Sequence, residues 1–373
     1  MSKRLMLFTL QTFSTTGGIQ KMTRALAHSL SGLSYGNDWD FSLWSVYDAD
    51  RDLMPQYVPK GNFLGFNHNR IKFILKTMIN ARKIDVVILS HLNLALAGLL
   101  LKMINPKCKV FLVAHGIEVW RPISVLKKIF LRHCDKVICV SNFTMQQMIS
   151  RHHCAPFKCT VLNNTIDPFM EFPVAFNKPD HLIKKYSIDN HNEVLFTLSR
   201  LASTEQYKGH DQVIRALSRL KERFPRIKYI LSGQYDENEK IRIEKLIADY
   251  QVGGHVILTG FLKEEELIPH FLLADLFVLP SKKEGFGIVF IEAMACGVPV
   301  ICGNVDGSID AVYSSELGTA INPDDLVQLE AEIAGYLKNK LTVDAKKNIQ
   351  TQCLSHFNEK NYMIQLAEMI KNG

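Results

Sequence analysis

Short apolar runs alternate with amphipathic stretches from one end of this 373-residue chain to the other. Residues 5–10, 41–46, 86–90, 110–114, 136–140 and 160–162 form one series of such runs, and residues 194–198, 228–231, 256–259, 276–279 and 298–302 form a second. Runs this brief and this continuously apolar are the pattern of strands buried on both faces. The periodic stretches between them are long enough to cross from strand to strand as helices, so each series predicts a doubly wound parallel sheet. Two series mean two α/β domains, and the length agrees, because a single core rarely grows beyond about 250–300 residues. Pro168, Pro173 and Pro179 interrupt the periodicity between the series. The expected division is 1–170 for the first domain, 171–192 for a linker and 193–356 for the second. In residues 357–373, Tyr362, Met363, Leu366, Ala367, Met369 and Ile370 recur at helical spacing and predict an amphipathic terminal helix.

The chemistry-bearing residues gather where strands end. After the run at 276–279, Glu284, Gly285, Phe286 and Gly287 read as a tight loop, and residues 288–296 as a helix stopped by Gly297. Glu284 then lies in the loop and Glu292 about one turn inside the helix. The N–H groups of Gly287, Ile288 and Val289 precede any intrahelical acceptor and form an electropositive pole suited to a diphosphate. Gly285 and Gly287 leave room for a ligand against the backbone. A solvated helix residue is the plain alternative for Glu292, and its apolar neighbours Phe290, Ile291, Ala293 and Met294 speak against it.

Arg200 closes the run at 194–198 and Lys208 follows eight residues later, a spacing at which a loop can turn both cations onto one diphosphate. Each could equally be a surface cation. Gly17 and Gly18 stand between the first run and a helix start, which places backbone N–H groups near a ligand or simply makes a turn. His115 ends the run at 110–114, either as a packed, hydrogen-bonded residue or as a group facing the ligand crevice. Ser141 reads as a helix N-cap.

The loop from Glu284 to Glu292, with its preceding strand, glycine turn and Cys296-Gly297-Val298-Pro299-Val300 ending, resembles the signature of the family 4 retaining glycosyltransferases (glycosyl transferases group 1). The resemblance extends over nearly the whole chain. It implies the GT-B fold, two Rossmann-like doubly wound domains facing a central cleft, with the terminal helix returning to the first domain. It implies that Arg200 and Lys208 bind the donor diphosphate, that Glu292 binds ribose and Glu284 lies at the donor sugar, and that His115 contacts that sugar. It also places Gly17, Gly18, Gly233, Gly260 and Phe261 beside the donor. Tyr235 departs from the family's second glycine after Gly233, Asn164 stands where a glycine is usual in the turn between the domains, and Asp310 occupies the place of an acidic helix residue. Gly260 also reads as a plain turn.

The implied activity is retaining transfer of a hexose from a UDP- or GDP-sugar to a saccharide or lipid-linked saccharide. An isomerase (epimerase) of the same fold and a non-catalytic nucleotide-sugar binding protein are the alternatives. No cofactor and no metal are expected: the chain has no Asp-x-Asp triplet to hold an ion against the diphosphate.

Residues 1–175 carry 21 Lys and Arg against 10 Asp and Glu, and the remainder 23 against 27. An anionic partner of the first half follows, and without a nucleic-acid motif or a stacking array of aromatics an anionic membrane surface is the favoured one over nucleic acid. Residues 69–83 and 121–132 bear on this: each interleaves lysines with an apolar stripe, which makes it either a core-facing helix or an interfacial one. No apolar run reaches the roughly 18 residues of a spanning helix. The expected location is cytoplasmic, with peripheral attachment to the inner face of the cell membrane. Eight cysteines without a Cys-x-x-Cys pair read as buried reduced thiols rather than a zinc site.

Overall fold

The computed structural model describes residues 2–372. The chain divides into two compact units: one runs to Met170 and resumes at Phe357, and the other is Glu171–His356.

In the first unit, β1 (Lys3–Thr9), β2 (Trp39–Ser45), β3 (Phe63–Gly65), β4 (Val86–Leu89), β5 (Lys109–Ala114), β6 (Lys136–Cys139) and β7 (Cys159–Val161) form one sheet. The order is β3-β2-β1-β4-β5-β6-β7, parallel throughout. Central β1 fixes the register, with Leu5 and Leu7 opposite Phe41 and Leu43 on one side and Val86 and Ile88 on the other. Parallel neighbours need crossovers. They are α1 (Gly18–Asn37), α2 (Arg70–Asn80), α3 (Ala95–Ile104), the single turn α4 (Ile117–Trp120), α5 (Val125–His133) and α6 (Asn142–His152). Phe8 stacks on Trp44 at 5.4 Å and meets Phe73 edge-on at 5.1 Å, which locks α2 to the sheet.

The second unit repeats the plan. β8 (Val194–Leu198), β9 (Lys228–Ser232), β10 (Val256–Gly260), β11 (Leu276–Leu279), β12 (Val300–Gly303) and β13 (Thr319–Ile321) pair in the order β10-β9-β8-β11-β12-β13. Its helices are α7 (Asp180–Lys185), α8 (His210–Arg223), α9 (Glu237–Asp249), α10 (Glu264–Leu273), α11 (Ile288–Ala295), α12 (Ser308–Ala311), α13 (Leu326–Lys338) and α14 (Val343–His356). After α14 the chain rejoins the first unit, where α15 (Glu359–Lys371) packs on α1 and the Glu359 carboxylate meets His28 Nδ1 at 2.7 Å and the Ser29 hydroxyl at 2.9 Å. In each sheet the strand order reverses once, between β1 and β4 and between β8 and β11. Loops leaving these four strands diverge and open a crevice at the carboxyl ends.

The structure departs from the sequence reading at four places. Two edge strands, β3 and β13, were not anticipated, because three residues are too few to carry a strand pattern. β12 begins at Val300 rather than 298, since Gly297 is left-handed (φ 73°) and Pro299 lacks the ladder donor. The second basic helix begins at Val125, after Pro122, not at 121. Residues 171–192 belong to the second unit rather than to a separate linker: Leu182 of α7 is buried and Lys178 Nζ lies 2.7 Å from Asp275. Of the two orientations left open for residues 69–83, α2 takes the outward one: it buries Phe73 and Thr77 and turns Ile71, Leu75, Met78 and Ile79 to solvent.

All eight cysteines are free and buried.

Candidate functional site

At the reversal point of the second unit, the loops after β8 and β11 converge. The loop after β8 carries Arg200, passes through a 3-10 turn at Gln206–Lys208 and enters α8. Gly209 makes this possible: it is left-handed (φ 88°), and a Cβ there would lie 2.3 Å from the Pro280 carbonyl oxygen at the end of β11. Lys282 N–H donates to the Tyr207 carbonyl at 3.0 Å and closes the two loops on each other.

Lys208 is buried, with its Nζ 2.5 Å from Glu284 Oε1. Burial alone would lower the ammonium, but the charge and hydrogen bond of Glu284 outweigh it and hold Lys208 above its ordinary value. Arg200 takes the Glu205 carboxylate through both Nε and Nη2. That fork holds the guanidinium above its ordinary value, although 69% of the side chain faces solvent. Glu205 was not singled out in the sequence. It aims Arg200 by the bidentate geometry that a guanidinium favours.

Glu284 is fixed by its own backbone. Its N–H donates to Asp306 Oδ2 at 2.7 Å, and its carbonyl accepts from Gly307 N–H at 2.8 Å. Asp306 Oδ1 takes Ser308 N–H at 2.9 Å. Gly307 is required for this clasp, because a Cβ would stand 2.1 Å from the Gly285 carbonyl oxygen. Asp306 is 2% exposed, and burial, aided by the charge of Glu284, pushes its carboxyl up to about 7. Sequence reading noticed Asp310 on the next helix and passed over Asp306, a single Asp between Val305 and Gly307 with no spacing to mark it.

Gly287 (φ 85°) opens α11, and no side chain caps the helix start. Gly287, Ile288 and Val289 therefore lie at the positive pole expected of them. Phe286 is buried beneath the loop, and Glu292 lies one turn into α11, 4% exposed between apolar neighbours. On the far side of β8, Gly233 and Gly260 end β9 and β10 and are joined by Gly233 N–H to the Gly260 carbonyl at 2.9 Å, while Phe261 beside them is exposed. Tyr235, in place of a glycine, bridges to Leu201 and packs on the core of the unit, so it closes the Arg200 loop from below.

In the first unit, the loop between β1 and α1 leads to Gly17, the N-cap, and Gly18, the first helical residue. The loop is shaped by Asp48, fully buried at the end of β2. Its carboxylate accepts from Thr12 N–H (2.7 Å), Ser14 N–H (2.9 Å), Ser14 Oγ (2.5 Å) and Ser45 Oγ (2.6 Å). Asp48 too was missed, as a lone acid in a loop. His115 ends β5 and donates Nε2–H to the Ser90 carbonyl at 3.0 Å, while its backbone N–H donates to Glu118 at 2.5 Å. Burial, with His91 nearby, pushes its imidazole down to about 4. Neutral at pH 7, with Nε2 occupied as donor, it keeps Nδ1 as an acceptor.

Thus Arg200, Lys208, Glu284, Gly285, the α11 start and Glu292 come together on one rim of the second sheet, Gly233, Gly260 and Phe261 lie along it, and Gly17, Gly18 and His115 sit on the rim of the first. Two paired cations and a helix pole beside a buried carboxylate can bind a diphosphate and stabilise charge growing on it.

The family description "Glycosyltransferase Family 4" matches residues 16–168, and "Glycosyl transferases group 1" matches residues 180–352. Over 260 residues the chain is 28% identical to the GDP-mannose-dependent alpha-(1-6)-phosphatidylinositol monomannoside mannosyltransferase of Mycolicibacterium smegmatis, covering 65% of this chain and 64% of the relative. The protein of that name from Mycobacterium tuberculosis is 31% identical over 226 residues, 57% of this chain and 56% of the relative. The aligned stretches thus span under two thirds of both. Among solved structures, Anabaena HepE in complex with UDP superposes with a TM-score of 0.79 at 18% identity, covering 99% of this chain and 100% of that one. Sucrose-phosphate synthase from Thermosynechococcus elongatus gives 0.76 at 19% identity, over 99% and 98%. These likenesses show the fold, two Rossmann-like units of the GT-B kind.

Proposed function

Because the chain belongs to the family 4 glycosyltransferases of the GT-B fold, we propose that it transfers a hexose, with retention at the anomeric carbon and without a metal, from a nucleotide diphosphate sugar to a hydroxyl of a saccharide or lipid-linked saccharide. The observation that carries this reading is the buried Lys208–Glu284 pair at 2.5 Å beside the uncapped start of α11. Glu284 satisfies the Lys208 ammonium. An incoming diphosphate competes for that ammonium and is received by the N–H groups of Ile288 and Val289 and by Arg200.

As the bond from the anomeric carbon to the diphosphate oxygen breaks, negative charge grows on the leaving phosphate, and Arg200, Lys208 and the helix pole stabilise it more than they stabilise the bound donor. The acceptor oxygen forms its bond on the same face, and its proton passes to the leaving phosphate. Glu284 holds the donor sugar and Glu292 the ribose hydroxyls. Within the first unit, His115 Nδ1 can accept from a ligand hydroxyl, and the backbone N–H groups at Gly17 and Gly18 can receive an anion.

UDP- and GDP-sugars remain the donor class. The mycobacterial relatives are named as GDP-mannose-dependent mannosyltransferases, which makes GDP-mannose the first donor to test. A thermal-shift series with GDP-mannose, UDP-glucose and ADP-glucose identifies it, since a donor at 100 times its Kd raises stability by about 2.7 kcal/mol. Product analysis with candidate acceptors then separates transfer from epimerisation of the bound sugar. Failure of every nucleotide sugar to shift the transition removes the reading.

A further inference from the structure

On the first unit, α2, α3 and α5 pack side by side, and their outer surfaces combine apolar exposure with one-signed charge. Ile71 (74% exposed), Leu75 and Ile79 (79%) form one stripe of α2; Met103 (77%) of α3 and Val125 (71%) of α5 are exposed on the helices packed in series beside it. Isolated exposed apolar residues are ordinary, whereas a run of them over three neighbouring helices is not. An amphipathic helix in a globular protein turns such a stripe inward; α2 instead buries Phe73 and Thr77 and sends the stripe out.

The charge is as uneven. Residues 69–83, 91–109 and 119–134 contain twelve Lys and Arg and no Asp or Glu. Lys102 and Lys109 are taken up by Asp135, at 2.7 and 3.8 Å, and Lys127 Nζ donates to Asn93 Oδ1. Arg70, Lys72 and Lys76 of α2 and Lys128 and Arg132 of α5 have no carboxylate on their own helices, and those of α2 alternate with its apolar stripe. The imbalance is a property of the whole unit: with the returning segment adding two charges of each sign, it carries 23 Lys and Arg against 11 Asp and Glu, the second unit 21 against 26. No helix among the described residues is long and apolar enough to cross a membrane, so any bilayer contact made by a helix here is from one side.

We propose that the outer surface of α2, α3 and α5 is a docking face for an anionic bilayer, its lysines and arginines set among headgroup phosphates and Ile71, Leu75, Ile79 and Val125 seated in the upper acyl layer. Charge complementarity selects this occupant: a second copy of the chain would bring the same excess of cations against itself, while an anionic leaflet neutralises it and accepts the apolar stripe as well. The proposal deepens the acceptor side of the functional reading, and rests on it for its purpose: a lipid-linked acceptor would be met at that leaflet.

Cosedimentation of the full chain with vesicles of phosphatidylcholine alone and of phosphatidylcholine mixed with phosphatidylglycerol tests it. Binding to the anionic vesicles only, weakened by salt, is expected. At roughly fivefold per charge, the Lys72→Gln, Lys76→Gln, Lys127→Gln, Lys128→Gln variant should partition about 600-fold less. Ile71→Ser with Ile79→Ser, both at solvent-facing positions, should lower partition by at least about tenfold at unchanged charge. Ile79→Trp should shift its emission to the blue on adding anionic vesicles, which loose electrostatic adhesion would not produce. Equal binding to both vesicles, binding to neither, no response to the serine changes, or a concentration-dependent dimer that Ile79→Ser abolishes would each overturn the proposal. Thermal melts of all variants control for folding. Donor binding measured without vesicles keeps the two readings apart: its loss with vesicle binding intact defeats the transferase reading alone, and the reverse defeats the docking face alone.

Discussion

The rim of the second sheet is held by ion pairs, whereas on the rim of the first the Asp48 carboxylate and the His115 imidazole bond backbone N–H, hydroxyl and carbonyl groups. In the second unit Lys208 meets Glu284, Arg200 meets Glu205, and buried Asp306 grips the Glu284 backbone. In the first, the strand-end group is an imidazole that burial keeps uncharged, bonded to a carbonyl. The overall charges run the other way, since the first unit is the basic one. Net charge therefore does not mark the proposed donor site: Arg200 and Lys208, the cations proposed to meet a diphosphate, are each held by a carboxylate in the less basic unit, while lysines and arginines of the first unit stand on its outer helices.

The sharpest test of this contrast is Lys208→Ala. On the proposed reading it removes one cation facing the leaving diphosphate, and it leaves the Glu284 carboxylate without the Lys208 ammonium. Turnover should fall about 100-fold, near 3 kcal/mol, with a smaller change in donor affinity. Arg200→Ala should act in the same direction, and Lys208→Arg should rescue only in part, because a planar fork cannot occupy the place of a compact ammonium. Pairing Lys208→Met with Glu284→Gln separates chemistry from folding. If the double variant regains thermal stability while turnover stays low, the pair acts on the donor; normal turnover in Lys208→Ala and Arg200→Ala would remove both from the site.

A second test divides the two glutamates. Glu292→Gln should weaken binding of the bare nucleotide diphosphate by roughly 10- to 30-fold, the value of a charge-assisted hydrogen bond. Glu284→Gln should leave that binding nearly intact and impair use of the complete donor. Calorimetry with GDP or UDP reads the contrast directly, and the reverse order would exchange the two assignments.

Both sheets could be read from the chain because a parallel strand buried on two faces has to be continuously apolar, and a crossover helix has to be periodic. Val194–Leu198 and Leu276–Leu279 were legible to the residue for that reason. β3 and β13 were not, since a three-residue edge strand is selected by its neighbour and not by its own pattern. At the site, Glu284, Gly287 and Glu292 could be found because a loop and a helix start need particular residues at particular spacings. Asp48, Glu205 and Asp306 could not: each bonds a partner 5 to 36 residues away in sequence, a backbone N–H for Asp48 and Asp306 and a guanidinium for Glu205, and nothing in its immediate neighbours announces the partner. The outward turn of α2 was equally hidden, because helical periodicity marks a stripe without saying which way it faces.

The smallest effect, and the one that asks most of the comparison, is the response to pH. His115 is depressed from 6.5 to about 4 in the folded chain, so its contribution is present above 6.5 and is lost as pH falls from there toward 4, where the unfolded chain takes the proton first. Asp306 is raised from 3.8 to about 7, so the folded chain holds that proton more tightly, and its contribution is full below 3.8 and lost as pH rises toward 7. Acidification from pH 7.5 to 5 should therefore weaken the first unit through His115 and strengthen the second through Asp306, each by about 1–2 kcal/mol. Other groups titrate in the same range, among them Glu118, raised by burial, and His270, lowered by it. Differences between variants isolate the two of interest. Relative to wild type, His115→Gln should lose least at pH 5 and most at 7.5, whereas Asp306→Asn should lose most at pH 5, with hydrogen exchange assigning each change to its own unit. If both variants shifted the same way with pH, the depressed imidazole or the raised carboxyl would have to be given up.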